Sequence, residues 1–282
     1  MSNPTVRLTR RVTFSSGHRY WNQDLTPEQN RGLFGPWASP FNHGHNYVLE
    51  VTTKGSVDPV TGMVVNIKRI DDILQERIVK RYDQKSLNDE APEFASRPPS
   101  VENILLTVKD HLAELPAEAE LAGLKLEETP LLYGELERVQ NPPQSWRMTL
   151  TRVYEFAAAH RLDVPSLSHA ENLELFGKCN NPMGHGHNYV LEVTVEGEPN
   201  PLTGMLADIG TIDTVVEREV VDRYDHKNLN EDIEEFQGKP TTSEIVAQTI
   251  WSRLNGKLPA KLSRIRLFET ARNVFEIRAE DA

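Results

Sequence analysis

The chain repeats itself, and the repeat limits its fold more than any local pattern does. Leu8-Thr9-Arg10 returns as Leu150-Thr151-Arg152, 142 positions later. The same offset carries His18 to His160, His43 to His185 and His45 to His187. It also carries Thr61-Gly62-Met63 to Thr203-Gly204-Met205, Tyr82-Asp83 to Tyr224-Asp225, and Glu102 to Glu244. Two copies are too few for a solenoid, and each is long enough to be a domain. Beyond about Leu115 the register slips, with extra residues expected in the first half around 117–127. Pro142 and Pro143 interrupt any strand or helix between the copies. The expected domains are therefore 1–143 and 144–282.

Each copy has the same order of patterns, clearest in the second. Met148–Ala158 has partial alternation and reads as a strand ending near His160. Residues 161–184 read as a long polar connection. Asn188–Glu196 alternates and reads as a second strand, followed by a turn over Pro199–Gly204. Ile209–Tyr224 places apolar residues at helical spacing. Thr242–Leu254 reads as a second helix, with Thr241, Thr242 and Ser243 as cap candidates and Glu244 following. Ser263–Phe268 and Val274–Arg278 close the copy as strands. Grouped strands and grouped helices predict an α+β class, with a four-stranded antiparallel sheet and two helices on one face of each copy. Sheet edges that need pairing favour a homo-oligomer.

Composition narrows the class of function. A chain of 282 residues with 38% hydrophobic and 26% charged residues is ordinary for a globular protein. A net charge of −11 argues against nucleic-acid binding through a broad basic face, while leaving room for a local basic pocket. The single cysteine, Cys179, cannot form an internal disulfide. No apolar leader segment opens the sequence, and no long uncharged apolar run suits a membrane. A cytoplasmic protein with no membrane or nucleic-acid partner is expected.

The chemistry gathers in Phe176–Tyr189, FGKCNNPMGHGHNY, echoed by FGPWASPFNHGHNY at Phe34–Tyr47. His185 and His187 are two apart beside a strand, so their side chains share a face. His160 ends the preceding strand, and in an antiparallel hairpin that end lies beside the start of the next. Three imidazole nitrogens with an open fourth position are the pattern of catalytic zinc. A His-x-His pair by itself is common on ordinary surfaces. The third histidine and the repetition of all three favour metal ligation. His18, His43 and His45 form a possible second site by the same geometry.

Two proton-handling candidates follow. Cys179 lies six residues before His185, in a polar loop sequence. Its plain alternative is an apolar filler, the usual fate of an unpaired cysteine. Asp225-His226 follows the first helix, where a carboxylate can orient an imidazole that deprotonates a thiol. A simple helix C-cap is the alternative there. At the repeat offset Cys179 meets Trp37 and His226 meets Gln84. One competent site per chain is predicted, in the second half.

Phe156–Arg161, the FGKCNNPMGHGHNY stretch, Tyr224–Asn230 and Phe268-Glu269-Thr270 together resemble the 6-pyruvoyl-tetrahydropterin synthase family and its 6-carboxytetrahydropterin synthase branch. The resemblance covers the second half and, more weakly, the first. It implies tandem T-fold (tunnelling fold) domains that assemble into barrels with active sites at subunit contacts. It implies a Zn2+-dependent lyase acting on a pterin triphosphate, 7,8-dihydroneopterin triphosphate, to give 6-pyruvoyl-tetrahydropterin. Zinc would sit on His160, His185 and His187, and Cys179, Asp225 and His226 would move protons. Glu269 would anchor the pterin ring, with Thr242, Ser243 and Glu244 beside it. Arg161, Lys178 and Lys227 are candidates for the triphosphate. In the first half the resemblance aligns Glu137 with Glu269 across the register slip. The carboxy product of the queuosine route is the in-class alternative. A non-catalytic, zinc-stabilised pterin-binding module is the other.

Overall fold

The computed structural model describes residues 4–140 and 145–282. The expected boundary at 143–144 lies outside the described residues. The chain divides into two compact units: Met1–Leu150 with Glu196–Asp208, and Thr151–Val195 with Ile209–Ala282.

In the first unit, β1 (Thr5–His18) and β2 (His43–Ser56) pair antiparallel along their whole length, setting His18 opposite His43. A two-residue strand, β3 (Lys85–Ser86), runs parallel to β1 at Ser16 and Gly17. β4 (Glu120–Thr129) pairs with β2, and β5 (Leu132–Arg138) pairs with β4, both antiparallel. The order is β5-β4-β2-β1-β3. Tyr47, Leu49 and Val51 alternate along β2 into the core, as a sheet with one covered face requires. Ile70, Leu74, Ile78 and Tyr82, at helical spacing, are also fully buried. Each such apolar side chain contributes about 2 kcal/mol when removed from water.

The second unit repeats this plan. β6 (Trp146–His160) opens in the first unit and continues into the second. β7 (His185–Glu196), β9 (Lys261–Thr270) and β10 (Asn273–Arg278) complete the order β10-β9-β7-β6. The two-residue β8 (Lys227–Asn228) runs parallel to β6 at Ala158 and Ala159. Four strands per half are as expected, and the short parallel strands β3 and β8 are an addition. Ile212, Val216, Val220 and Tyr224 bury one stripe of the first helix, and Val246, Ile250 and Leu254 bury one stripe of the second. In each half the first helix widens into a π turn, at Gln75–Val79 and Glu217–Val221, before closing at Tyr82 and Tyr224.

Residues 161–184 are not an unstructured connection. They contain a helix over His169–Phe176, closed at its start by a capping box between Ser168 and Glu171. Such a cap stabilises a short helix by about 1 kcal/mol. The other helix, Ser243–Leu254, begins at Thr242, which makes no side-chain cap bond.

Candidate metal centre and active site

His160 closes β6 and is 1% exposed. Its Nδ1–H donates to the Thr241 carbonyl at 2.7 Å, which leaves Nε2 with a lone pair. That Nε2 lies 3.2 Å from Nε2 of His185 at the start of β7. Two imidazole lone pairs at that distance require a proton or a cation between them. The Nδ1 of His185 and the Nε2 of His187 are buried without a hydrogen-bond partner. One ligand atom from each of His160, His185 and His187 falls within 4.8 Å of the others. Burial, then the neighbouring imidazoles, holds His160 below the usual histidine pKa, and burial first lowers His185 as well. Neutral nitrogens converging with unmet lone pairs fit a metal ion.

Local sequence puts them there. Gly184 has φ +71°, and a Cβ on it would stand 2.9 Å from the His160 carbonyl oxygen. Only glycine allows the chain to turn that close to His160 before the His-Gly-His pair begins.

Glu269 joins this cluster from β9. Its Oε1 accepts from Ser243 Oγ at 2.7 Å and its Oε2 from Asn273 Nδ2 at 2.9 Å. Oε1 is 3.9 Å from Nε2 of both His160 and His187. Burial pushes the carboxyl upward, but the two hydrogen bonds and the nearby imidazoles outweigh it and hold it below the usual range. Ser243 is thus a partner of Glu269 rather than a helix cap. Glu244, one residue on, is exposed, and Thr242 is half-buried.

Asp225 and His226 form a pair at the end of the first helix. Asp225 Oδ1 accepts from the Ala157 N–H at 2.7 Å, and its Oδ2 takes His226 Nδ1–H at 2.8 Å. The Ala157 bond first, then His226, lowers the Asp225 pKa. An ionised carboxylate on Nδ1 leaves Nε2 as the basic nitrogen. His226 has φ 56°, a left-handed conformation unusual for a residue with a side chain, and its N–H donates to the Ala157 carbonyl at 2.6 Å. A cleft of about 520 Å³ lies beside it, lined by Ala158, Gly186, His187, His226 and Lys227 among others. Cys179 is half-buried in a short 3₁₀ turn, Gly177–Asn180, and its carbonyl accepts from the Leu162 N–H. Among the described residues no hydrogen bond joins the thiol to His226. Arg161 pairs with Asp163 at 2.9 Å.

The first half keeps the metal geometry. His18, His43 and His45 also bring their ligand atoms within 4.8 Å of one another. Burial first, then His43, takes His18 down to about 3 and His45 to about 4. Gln84 stands in the His226 position with φ 58° and the matching bond to the Ser15 carbonyl. Trp37 stands where Cys179 does. The counterpart of Glu269 is Glu128, 3.9 Å from His18 and 3.7 Å from His45. Glu137 is not that counterpart. It lies on β5, half exposed, paired with Arg147. The signal was present: Leu126-Glu127-Glu128-Thr129 matches Leu267-Phe268-Glu269-Thr270 at an offset of 141, so the slip is a single residue.

A profile of the 6-pyruvoyl tetrahydropterin synthase family matches residues 7–138 and, a second time, 149–280. The chain belongs to that family. It is a tandem duplication of the family's T-fold domain. A 6-pyruvoyl tetrahydrobiopterin synthase of Drosophila melanogaster is 47% identical over 131 residues, covering 46% of this chain and 78% of the relative. One of Poecilia reticulata is 43% identical over 141 residues, covering 50% of this chain and 96% of the relative. The solved structure of 6-pyruvoyl tetrahydropterin synthase from Caenorhabditis elegans is 41% identical, with a TM-score of 0.45, over 47% of this chain and 96% of that one. Each half can hold a metal ion on three histidines. Only the second half also carries the thiol and the Asp–His pair.

Proposed function

We propose that the chain is a zinc-dependent lyase that converts 7,8-dihydroneopterin triphosphate to 6-pyruvoyl-tetrahydropterin with loss of triphosphate. The observation that carries this reading is the meeting of His160, His185 and His187 with Glu269, in the one half that keeps Cys179, Asp225 and His226. The names of relatives above 40% identity support it.

His160, His185 and His187 hold the ion, which when bound polarises the side-chain hydroxyls of the substrate as a Lewis acid. Thr241 fixes His160 so that Nε2 faces inward. Glu269 takes the ring N–H groups of the pterin, and Ser243 and Asn273 hold its carboxylate in place. A ligand without those donors would forgo the charge-assisted bonds to this half-buried carboxylate, so the contact selects the ring. Cys179 removes a proton from a side-chain carbon. Asp225 keeps the Nε2 of His226 basic, so that imidazole takes up protons and returns them. Hydrogen moves from side chain to ring as triphosphate leaves, so no outside reductant enters. The thiol and the imidazole share no hydrogen bond within one chain. Sites at subunit contacts, as the family resemblance implies, bring such groups onto one substrate. Lys227 lines the cleft, and its ammonium would pair with the triphosphate. Trp37 and Gln84 leave the first half without proton transfer.

Incubating the zinc-loaded chain with 7,8-dihydroneopterin triphosphate and weighing the products tests this. Triphosphate with a pyruvoyl tetrahydropterin is the expected result. A carboxy tetrahydropterin with acetaldehyde would assign the chain to the other branch. Tight binding without turnover would make it a binding module.

A further inference from the structure

The carboxylate beside each histidine triad is held differently in the two halves. In the second half, Ser243 and Asn273 each donate a hydrogen bond to Glu269, one to each oxygen. At the repeat offsets of 142 and 141 these two residues become Val101 and Leu132. Neither has a side-chain donor. The tyrosine of the His-x-His strand changes its neighbour as well. Tyr189 lies beside Ser243, whereas Tyr47 lies beside Glu128.

The surroundings of Glu128 are also more closed. It is 8% exposed near the end of β4, and Val101, Leu132 and Tyr133 are buried too. Glu269 is half-buried, and Asn273 and Val274, the counterparts of Leu132 and Tyr133, are exposed. A flat ring can approach Glu269 from that side, and Glu128 offers no comparable face.

A carboxylate taken out of water is costly unless donors or a cation meet it. The imidazoles face this one. Glu128 Oε2 is 3.9 Å from His18 Nε2, and its Oε1 is 3.7 Å from His45 Nε2. Both nitrogens are buried without a hydrogen-bond partner. His18 Nδ1–H donates to the Pro99 carbonyl at 2.9 Å, so Nε2 carries the lone pair. Lone pairs on the nitrogens and negative charge on the oxygens suit a cation among them. Two donors at about 2.0–2.1 Å from a tetrahedral ion stand about 3.3 Å apart. A shift of about half an ångström therefore brings Glu128 onto an ion held by His18, His43 and His45. Glu269 stands at a similar range from His160 and His187, but its oxygens are engaged by Ser243 and Asn273.

We infer that Glu128 is the fourth ligand of a closed, four-coordinate zinc site in the first half. The ion there is structural: it joins β1, β2 and β4 and has no position left for a substrate. His43 stands exposed at the outer edge, so coordination rather than burial closes the site. Ser243 and Asn273 keep the equivalent carboxylate of the second half off its ion. The inference concerns the first half alone and does not depend on the reaction proposed for the second.

Cobalt(II), which replaces zinc and reports its ligands by visible absorption, tests it on the full chain. His185→Ala/His187→Ala removes the second-half ligands. That variant is expected to bind one Co2+ with the strong visible bands of a four-coordinate ion. Azide should leave those bands unchanged, because no position is open to it. Adding Glu128→Gln should weaken Co2+ binding by at least about tenfold and make the bands respond to azide. The ion should also raise the Tm of the histidine variant. A folded histidine variant that binds no Co2+, bands that already move with azide, a Glu128→Gln chain of unchanged affinity, or equal Tm with and without the ion would each overturn the inference. If circular dichroism shows the histidine variant unfolded, the wild-type chain decides. Loaded with two Co2+ ions, it should keep at least half of its visible absorption unchanged in azide, and a response of all the bands would overturn the closed site.

Discussion

In the proposed function Glu269 is the carboxylate that selects the pterin ring. It is bound by Ser243 and Asn273 and lies 3.9 Å from two imidazoles. Glu269→Gln removes the charge and turns an acceptor toward a donor. We expect pterin affinity to fall by roughly 2 kcal/mol, about thirtyfold in Kd, with zinc content unchanged, as measured by ligand titration and metal analysis. The histidines were legible in the sequence because strand alternation converts a His-x-His spacing directly into a shared face. Glu128 was not, because one inserted residue broke the offset and a look-alike stretch around Glu137 lay nearby. The left-handed backbone at His226 and Gln84 was also invisible, since nothing local demands it. The parallel pairing of β3 and β8 imposes it through the bonds to Ser15 and Ala157.

At the scale of elements, strands and long helices could be read from periodicity to within a few residues. The His169–Phe176 helix was missed for a physical reason: only Asn172 is buried along it, so it lacks the apolar stripe that periodicity detects. Its capping box, Ser168 with Glu171, was the available signal. The two equivalent turns at Gly62 and Gly204 give a matched pair of substitutions. Gly204→Ala strains a positive φ and also drives a methyl group into Asn103, whereas Gly62→Ala meets only the strain. We expect Gly62→Ala to cost about 1 kcal/mol of chain stability and Gly204→Ala at least twice that, measured by denaturant unfolding under monomeric conditions.

The whole molecule is a duplicated domain in which one copy carries Cys179 and the Asp225–His226 pair and both carry three converging histidines. Each triad lies within the reach of one ion, and the first-half set is held neutral by burial. Metal analysis of the purified chain is therefore expected to find two ions per chain, falling to one in the His43→Ala/His45→Ala variant. One ion in the unaltered chain would mean that the first half no longer binds metal.

The assignment of chemistry to the second half depends most on Cys179, the group that the first half replaces with Trp37. Turnover of 7,8-dihydroneopterin triphosphate and bound zinc should be measured together in Cys179→Ala. Loss of at least about a hundredfold in rate with zinc fully retained is the predicted result. A near-normal rate would contradict the account.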